Sequence, residues 1–158
     1  QSLIPIIIGS STQETPSLHT NFNGSVSNGF QSKDILIKTS LRYLNSPKIK
    51  GSRSPFEIDS ASFIQMVYKI NDYNLIRTAK KQSTQSEVLS FAEESKARDL
   101  AFFDNASKVI DHVDIIMDNN YVKHVNGKVR VDRLDHTGIF KNDLRTYTLQ
   151  LKVIKKIT

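Results

Sequence analysis

Three residues of types that can carry acyl-transfer chemistry stand out in the sequence: Ser60, His112 and His124. Ser60 lies where a helix is predicted to begin, and the helix dipole stabilises negative charge at such a position. His112 opens a predicted strand, and His124 lies in the next strand, across a short turn. A nucleophile, a base and a group that orients the base are the parts that acyl transfer requires. Spacing alone leaves a second interpretation open, in which each histidine is an ordinary surface or core residue.

The composition excludes several other kinds of site. The 158 residues include no cysteine, which excludes disulfides, thiolate metal sites and a cysteine nucleophile. No histidines are spaced as in the helical metal motif His-x-x-x-His, so we expect no metal and no cofactor. The net charge is +6, but the basic residues are scattered, so nucleic acid is not an expected partner. The longest apolar run, Leu3 to Ile8, is far shorter than the roughly 20 residues of a membrane-spanning helix.

The apolar pattern predicts helices in the first part of the chain. One helix is predicted from Asp34 to Ser46, with Ile35, Ile37, Leu41 and Leu44 as its apolar face. A second begins after Asp59, a good N-cap, and its apolar positions are Phe63, Met66, Val67 and Ile70. The polar stretch 78–94 is a third helix candidate.

After Asp99 the apolar pattern changes to a period of two, which is typical of strands. Strands are predicted at 100–103, 112–117, 121–125, 129–134 and 147–153. The Asn126-Gly127 pair is the strongest hairpin signal in the chain. Helices followed by antiparallel strands indicate an α+β domain. Its expected core includes Phe63, Val67, Leu100, Phe102, Ile115 and Leu151.

Residues 9–29 are rich in Ser, Thr, Asn and Gly and are interpreted as a linker or irregular loop. The chain begins at Gln1 without a charged leader, so either a signal was removed or none existed.

The segment 59–65, Asp-Ser-Ala-Ser-Phe-Ile-Gln, resembles the Asp-Cys-Ser-Gly-Phe-x-Gln signature of the NlpC-type cell-wall peptidases, a papain-like family. The resemblance covers roughly residues 31–158. It continues in order through Arg77-Thr78-Ala79-x-x-Gln82, Asp99-Leu100-Ala101-Phe102-Phe103, His112-Val113-Asp114-Ile115 and His124.

The resemblance implies N-terminal helices packed on a central antiparallel sheet of about five to six strands. It also implies two regions: residues 1–30 as a linker or the trailing edge of a wall-binding β-barrel module, and residues 31–158 as the peptidase-like domain. Such proteins cleave peptidoglycan stem peptides between D-glutamate and a diamino acid. The cell envelope or the cell exterior is therefore the expected location, with a cytoplasmic one left open.

The resemblance also assigns the site. Ser60 occupies the nucleophile position, which is Cys in the family, and His112 and His124 match the other two triad members. The expected substrate-binding positions are Asp59, Ala61 and Arg77. Asp59 matches an acid that contacts the free amine of the substrate in related enzymes.

Several departures fall where the chemistry should be: Ser60, Ala61, Ser62, Asp114 and the segment Lys48–Ser52. A serine hydroxyl is far less acidic than a thiol, so cleavage should be slower by several orders of magnitude. This corresponds to an increase in activation free energy on the order of 4 kcal/mol or more. Asp114 stands where the family has Gly and shares a strand face with His112. We expect it to pair with His112 or to accept a hydrogen bond from Ser62, unless the strand end is exposed and the carboxylate is solvated.

These departures favour a degenerate domain that binds peptidoglycan stem peptides and cuts them slowly or not at all. Three alternatives remain. In the first, the chain is a Cys-to-Ser trapped form of an active D-glutamyl–diamino acid endopeptidase. In the second, it is a protein-interaction module whose cleft is closed by Lys48, Lys50 and Asp114. In the third, it is an active serine hydrolase.

Overall fold

The computed structural model describes residues 3–13, 21–27, 29–85, 87–89 and 94–157. Within these residues the chain forms three α-helices, α1 (Lys33–Leu41), α2 (Ser60–Ile70) and α3 (Ala79–Gln82). The strands of the same residues are β1 (Arg53–Ser54), β2 (Glu57–Ile58), β3 (Glu87–Val88), β4 (Leu100–Asp104), β5 (Ile110–Ile116), β6 (Tyr121–Asn126), β7 (Lys128–Leu134), β8 (Gly138–Lys141) and β9 (Thr146–Lys156).

Seven of these strands form one antiparallel sheet in the order β3-β9-β4-β5-β6-β7-β8. The last strand, β8, also pairs with β9. Six strands therefore close into a barrel, and β3 extends the sheet from β9. The predicted α+β class with an antiparallel sheet is confirmed, but the expectation of about five to six strands included neither the closure into a barrel nor the extra strand.

The barrel strands separate two apolar clusters. On their outer face, Phe102, Val113, Ile115 and Val125 pack with the side chains of α2. We call the opposite side the inner face; it carries Ala101, Phe103, Ile116, Val122, Leu134, Ile139 and Ile154. Because successive side chains of a strand alternate between faces, β4, β5, β6 and β7 each contribute to both clusters.

Helix α2 forms as predicted. Its N-cap is Asp59, whose Oδ1 accepts a hydrogen bond from the Ser62 N–H at 2.7 Å. Its apolar side chains Phe63, Ile64 and Val67 are fully buried. The cap and the apolar stripe thus fix both the start of α2 and the face that it packs against β5 and β6.

Helix α1 is present but shorter than predicted, and of its four predicted apolar-face residues only Ile37 packs, partly buried, against the core. Ile35, Leu41 and Leu44 are exposed, whereas Leu36 and Tyr43 are buried. This helix buries a mixed surface that includes Thr39 and Ser40, so apolar spacing alone points to the wrong side.

The third helix candidate, 78–94, is wrong over most of its described length. Only Ala79–Gln82 is helical, with Thr78 as its N-cap, and Glu87–Val88 instead pairs with Lys155 and Lys156 of β9. Residues 86 and 90–93 lie outside the described residues. The segment lacks an apolar stripe that could hold a long helix against the core.

The described residues before α1 contain no helix or strand, and they contact the C-terminal part of α2. Lys69 Nζ donates to the Gly9 carbonyl at 3.0 Å, and Ser27 Oγ donates to the Ile70 carbonyl at 2.5 Å. Nothing in the described part of the chain is a helix of the length and apolarity that a membrane crossing requires.

Candidate functional site

Ser60 is the first residue of α2, as predicted, and only 6 % of its surface is exposed. The body of α2 packs against β5 and β6, the strands that carry His112 and His124. None of the hydrogen bonds among the described residues joins Ser60 to either histidine. The meeting of all three side chains therefore stays a prediction.

The two histidines lie together on the inner face of the barrel. Their ring centroids are 6.2 Å apart, and both residues are buried. His112 pairs across the sheet with Phe103, and its ring meets that phenyl ring edge-on at 5.9 Å. His124 pairs with Arg130. Strand pairing between β5 and β6 covers Ile115 and Ile116, beyond the position of His112.

Asp114 lies between the two histidines and is completely buried. Its Oδ1 is 2.8 Å from His112 Nε2, and its Oδ2 is 3.9 Å from His124 Nδ1. Although 2.8 Å is short enough for a hydrogen bond, this contact does not have the geometry of one, so the two groups touch without a hydrogen bond. The three side chains bring potential ligand atoms within 4.8 Å of one another, which is close enough to hold a metal ion.

The position of Asp114 decides between the alternatives for this residue. Solvation at an exposed strand end is wrong, and no hydrogen bond joins Asp114 to Ser62. The contact with His112 is the alternative that the structure contains. Asp114 lies on the inner face, opposite Ala101, whereas α2 covers the outer face. The carboxylate therefore acts on His112 rather than on the distance between helix and sheet.

His124 is held by a charged network that the sequence analysis missed. Its Nε2 is 2.7 Å from Asp132 Oδ2. Arg130 Nε lies 2.6 Å from the same carboxylate in an ion pair, and Arg130 Nη2 donates hydrogen bonds to Asp132 Oδ1 at 2.9 Å and to Asp143 Oδ1 at 3.1 Å. These hydrogen bonds raise the pKa of Arg130 above its usual value. The alternation of β7 puts Arg130 and Asp132 on one face, which is the signal that indicates a joint role.

Asp59 and Arg77, two of the predicted substrate-binding residues, are paired with each other. Arg77 contacts Asp59 Oδ2 at 2.5 Å and Oδ1 at 3.2 Å, and the Gly51 N–H donates to Oδ2 at 2.8 Å. Burial opposes ionisation of Asp59, but the hydrogen bonds from Arg77, Ser62 and Gly51 outweigh it and lower its pKa. A substrate amine would have to share this carboxylate, so the predicted role stays a prediction.

The third predicted substrate-binding residue, Ala61, is 8 % exposed, and its carbonyl accepts a hydrogen bond from Gln82 Nε2 at 3.0 Å. Lys48 and Lys50 are exposed, which does not fit a closing role over the site. Two surface cavities lie elsewhere, one beside the C-terminal part of α2 and one beside Tyr147, and neither is lined by Ser60, His112 or His124.

The sequence model and the solved structures that match this chain represent the same protein family. The sequence model of the NlpC/P60 family matches residues 49–147. No significant match was found among curated protein sequences. An NlpC/P60 family protein from Bacillus cereus has a similar structure, with a TM-score of 0.68 and 20 % identity over 81 % of this chain and 41 % of that chain.

Two further structures are informative. An NLP/P60 family protein from Staphylococcus aureus, described as similar to a lipoprotein, has a TM-score of 0.65 and 23 % identity over 85 % of this chain and 45 % of that chain. RipD from Mycobacterium tuberculosis, described as a non-catalytic NlpC/p60 domain protein adapted to peptidoglycan binding, has a TM-score of 0.61 and 16 % identity over 82 % of this chain and all of that chain.

At these identities the solved structures establish the fold alone, and this chain spans less than half the length of the Bacillus and Staphylococcus proteins. The family model covers well over half of the residues printed here, including α2 and the strands that carry both histidines. The chain belongs to the NlpC/P60 family.

Proposed function

We propose that this chain is a non-cleaving domain that binds peptidoglycan stem peptides at the cell envelope. The observation that carries this proposal is the buried Asp114 carboxylate against His112 Nε2, together with a serine at position 60. A cysteine peptidase of this family requires a thiolate beside a histidine, and this chain has no cysteine at all.

Both changes are expected to lower the rate of peptide cleavage. A serine must lose its proton as it attacks, which a site shaped for a preformed thiolate serves poorly, at a cost on the order of 4 kcal/mol. In addition, a buried carboxylate on the same strand lies against Nε2 of the histidine that would act as the base. Burial of Ser60, His112 and His124 further limits access of a peptide to these side chains.

Binding is supported by the RipD comparison, since that protein is described as adapted to peptidoglycan binding without catalysis. In this chain the proposed contact is the Asp59–Arg77 pair, because the Arg77 side chain is 36 % exposed. Its guanidinium suits a peptide carboxylate such as that of D-glutamate, and Asp59 suits the free amine.

Calorimetric titration with a stem peptide that contains the D-glutamyl–diamino acid bond tests this proposal. Saturable binding is expected, weakened about tenfold in Arg77→Gln and unchanged in Arg145→Gln, an exposed arginine outside the site. Absence of binding would contradict the proposal and favour a protein-interaction module. Equal affinity of the two variants for the stem peptide would show that Arg77 is not part of the peptide contact.

A specific observation favours a second candidate, an active serine hydrolase. Asp114 contacts one ring nitrogen of His112 at 2.8 Å, and an aspartate beside the base histidine is one part of a Ser-His-Asp triad. Against it, the Asp114 oxygen does not meet hydrogen-bond geometry with His112, whereas such a triad requires that bond to orient the base.

A further inference from the structure

We propose that His112, Asp114 and His124 form a zinc site on the inner face of the barrel, which goes beyond the proposed peptide binding. The three residues present potential ligand atoms that all lie within 4.8 Å of one another. Two imidazoles and one carboxylate form a donor set that zinc uses, completed by a fourth ligand such as water.

The atoms that face each other at this site have no hydrogen-bond partners. They are His112 Nε2, both Asp114 oxygens and His124 Nδ1, all buried. Buried polar atoms are almost always satisfied, so four converging ones in a single cluster point to a shared cation. Zinc would be the common partner of all three side chains.

The distances suit a four-coordinate ion after small side-chain shifts. Zinc–ligand bonds of 2.0–2.1 Å place tetrahedral ligand atoms about 3.3 Å apart. Asp114 Oδ1 is 2.8 Å from His112 Nε2 and Oδ2 is 3.9 Å from His124 Nδ1, so a different carboxylate oxygen faces each imidazole at a distance near that value. In the tautomer that carries its proton on Nδ1, His112 Nε2 has a lone pair for an ion, and no hydrogen bond occupies that nitrogen.

The surroundings support the same assignment. His124 Nε2 contacts Asp132 at 2.7 Å, which fixes its ring and leaves Nδ1 for the ion, as in carboxylate–histidine–zinc arrangements. Arg130 is paired with Asp132, whereas the described residues place only the two histidines beside the Asp114 carboxylate. A divalent ion would therefore compensate the buried Asp114 charge.

The test uses the fact that the chain has four histidines, His19, His112, His124 and His136. The double variant His19→Gln, His136→Gln keeps only the two histidines of the proposed site. It is expected to bind one Zn²⁺ in calorimetric titration, to gain about 5 °C or more in Tm at zinc concentrations of 100 times Kd, and not to respond to Mg²⁺. Asp114→Asn and His124→Gln are expected to weaken zinc binding at least tenfold.

Loss of zinc binding in the double variant, or unchanged affinity in Asp114→Asn, would overturn the proposal. If the site variants fail to fold, Co²⁺ added to the double variant decides: intense visible absorption of a four-coordinate ion supports the site, and the weak spectrum of hydrated Co²⁺ refutes it. No peptide enters these measurements, so their outcome is independent of stem-peptide binding.

Discussion

Asp114 has no exposed surface and its Oδ1 lies 2.8 Å from His112 Nε2, so His112 shares its buried surroundings with a carboxylate two positions along its own strand. A carboxylate removed from water strengthens its interaction with any nearby positive charge. The carboxylate also occupies the space beside His112 Nε2, so this nitrogen cannot reach a nucleophile without a shift of Asp114. This is the residue-scale reason why a change at position 60 alone would not produce an efficient peptidase.

Ser60→Cys is expected to cleave stem peptides slowly. The triple variant Ser60→Cys, Ser62→Gly, Asp114→Gly frees His112 from the carboxylate and is expected to be at least tenfold faster, a difference of about 1.4 kcal/mol in activation free energy. Product release followed by mass spectrometry compares the two, with Ser60→Ala as the inactive control. Rapid cleavage by the single variant would show that Asp114 is harmless and that the chain is a trapped peptidase.

The sequence identified both histidines, the shared face of His112 and Asp114, and their contact as one of three alternatives. It did not identify Arg130 and Asp132 as partners of His124. A two-residue Asn126-Gly127 turn would pair Val125 with Lys128 and put Val129 opposite His124. In the structure Val125 pairs with Val129, so the register differs by one residue and Arg130 lies opposite His124. A shift of one residue exchanges the faces of a strand, so the sequence could not specify these partners.

At the scale of elements, Asp59 connects the start of α2 to two neighbouring segments. Asp59→Ala removes the N-cap, the Gly51 contact and the Arg77 pair, and is expected to lower the free energy of unfolding by about 1–2 kcal/mol at neutral pH. Urea unfolding measures this loss, with exposed Asp118→Ala as the control.

The pH dependence of the same variant follows from the lowered pKa of Asp59. A carboxyl group whose pKa is lower in the folded state stabilises the protein above its unfolded pKa, about 3.9, and this contribution is lost as the pH falls through the folded value. The difference in unfolding free energy between the original chain and Asp59→Ala is therefore expected to become smaller below about pH 4. A difference that is constant from pH 7 to pH 3 would contradict the role of the charged form.

Lys123 is a buried cation on β6, and its Nζ donates to Ser40 Oγ of α1 at 2.7 Å. Burial lowers the pKa of Lys123 from 10.5 to about 8. Between these two values the unfolded chain binds more protons, so this group makes stability rise with pH. Relative to Lys123→Met, the original chain is expected to gain about 1–2 kcal/mol of unfolding free energy between pH 7 and pH 9.5.

Urea titrations at both pH values measure this gain, and exposed Lys128→Met is the matched control. An equal pH response of the original chain and Lys123→Met would contradict the assignment of this titration to Lys123.

Elements with a cap or a clear apolar period were predictable, and the others were not. Asp59 and the buried stripe of α2 specify that helix, and alternation specifies β4 to β7 and β9. The strand β8 was missed because four residues, Gly138–Lys141, are too few to show a period. The 78–94 segment was misassigned because its polar residues fit an exposed helix as well as a capped turn followed by an edge strand.

At the scale of the whole molecule, the barrel closes where β8 meets β9. Gly138 pairs with Gln150 and has a φ of +150°, and a Cβ on this residue would lie 1.9 Å from the Leu149 carbonyl oxygen. The closure needs glycine for its close backbone approach, which a sequence pattern does not reveal.

Gly138→Ala is therefore expected to destabilise the chain by about 3 kcal/mol or more, because the strands must separate to admit the methyl group. Gly127→Ala is a matched control, since Gly127 also has a positive φ, +71°, but its Cβ would meet nothing within 4 Å. It is expected to cost about 1 kcal/mol from backbone strain alone. Equal losses of unfolding free energy in the two variants would contradict a steric role for the closure.

The most direct measurement is turnover of a stem peptide by the unaltered chain, followed by mass spectrometry of the released dipeptide at high protein concentration. The account predicts no release above the rate measured with Ser60→Ala. Ser60 lacks the acidity of a thiol, and the Asp114 carboxylate lies against His112 Nε2. Release that is well above background and disappears in Ser60→Ala would contradict it and establish a serine hydrolase.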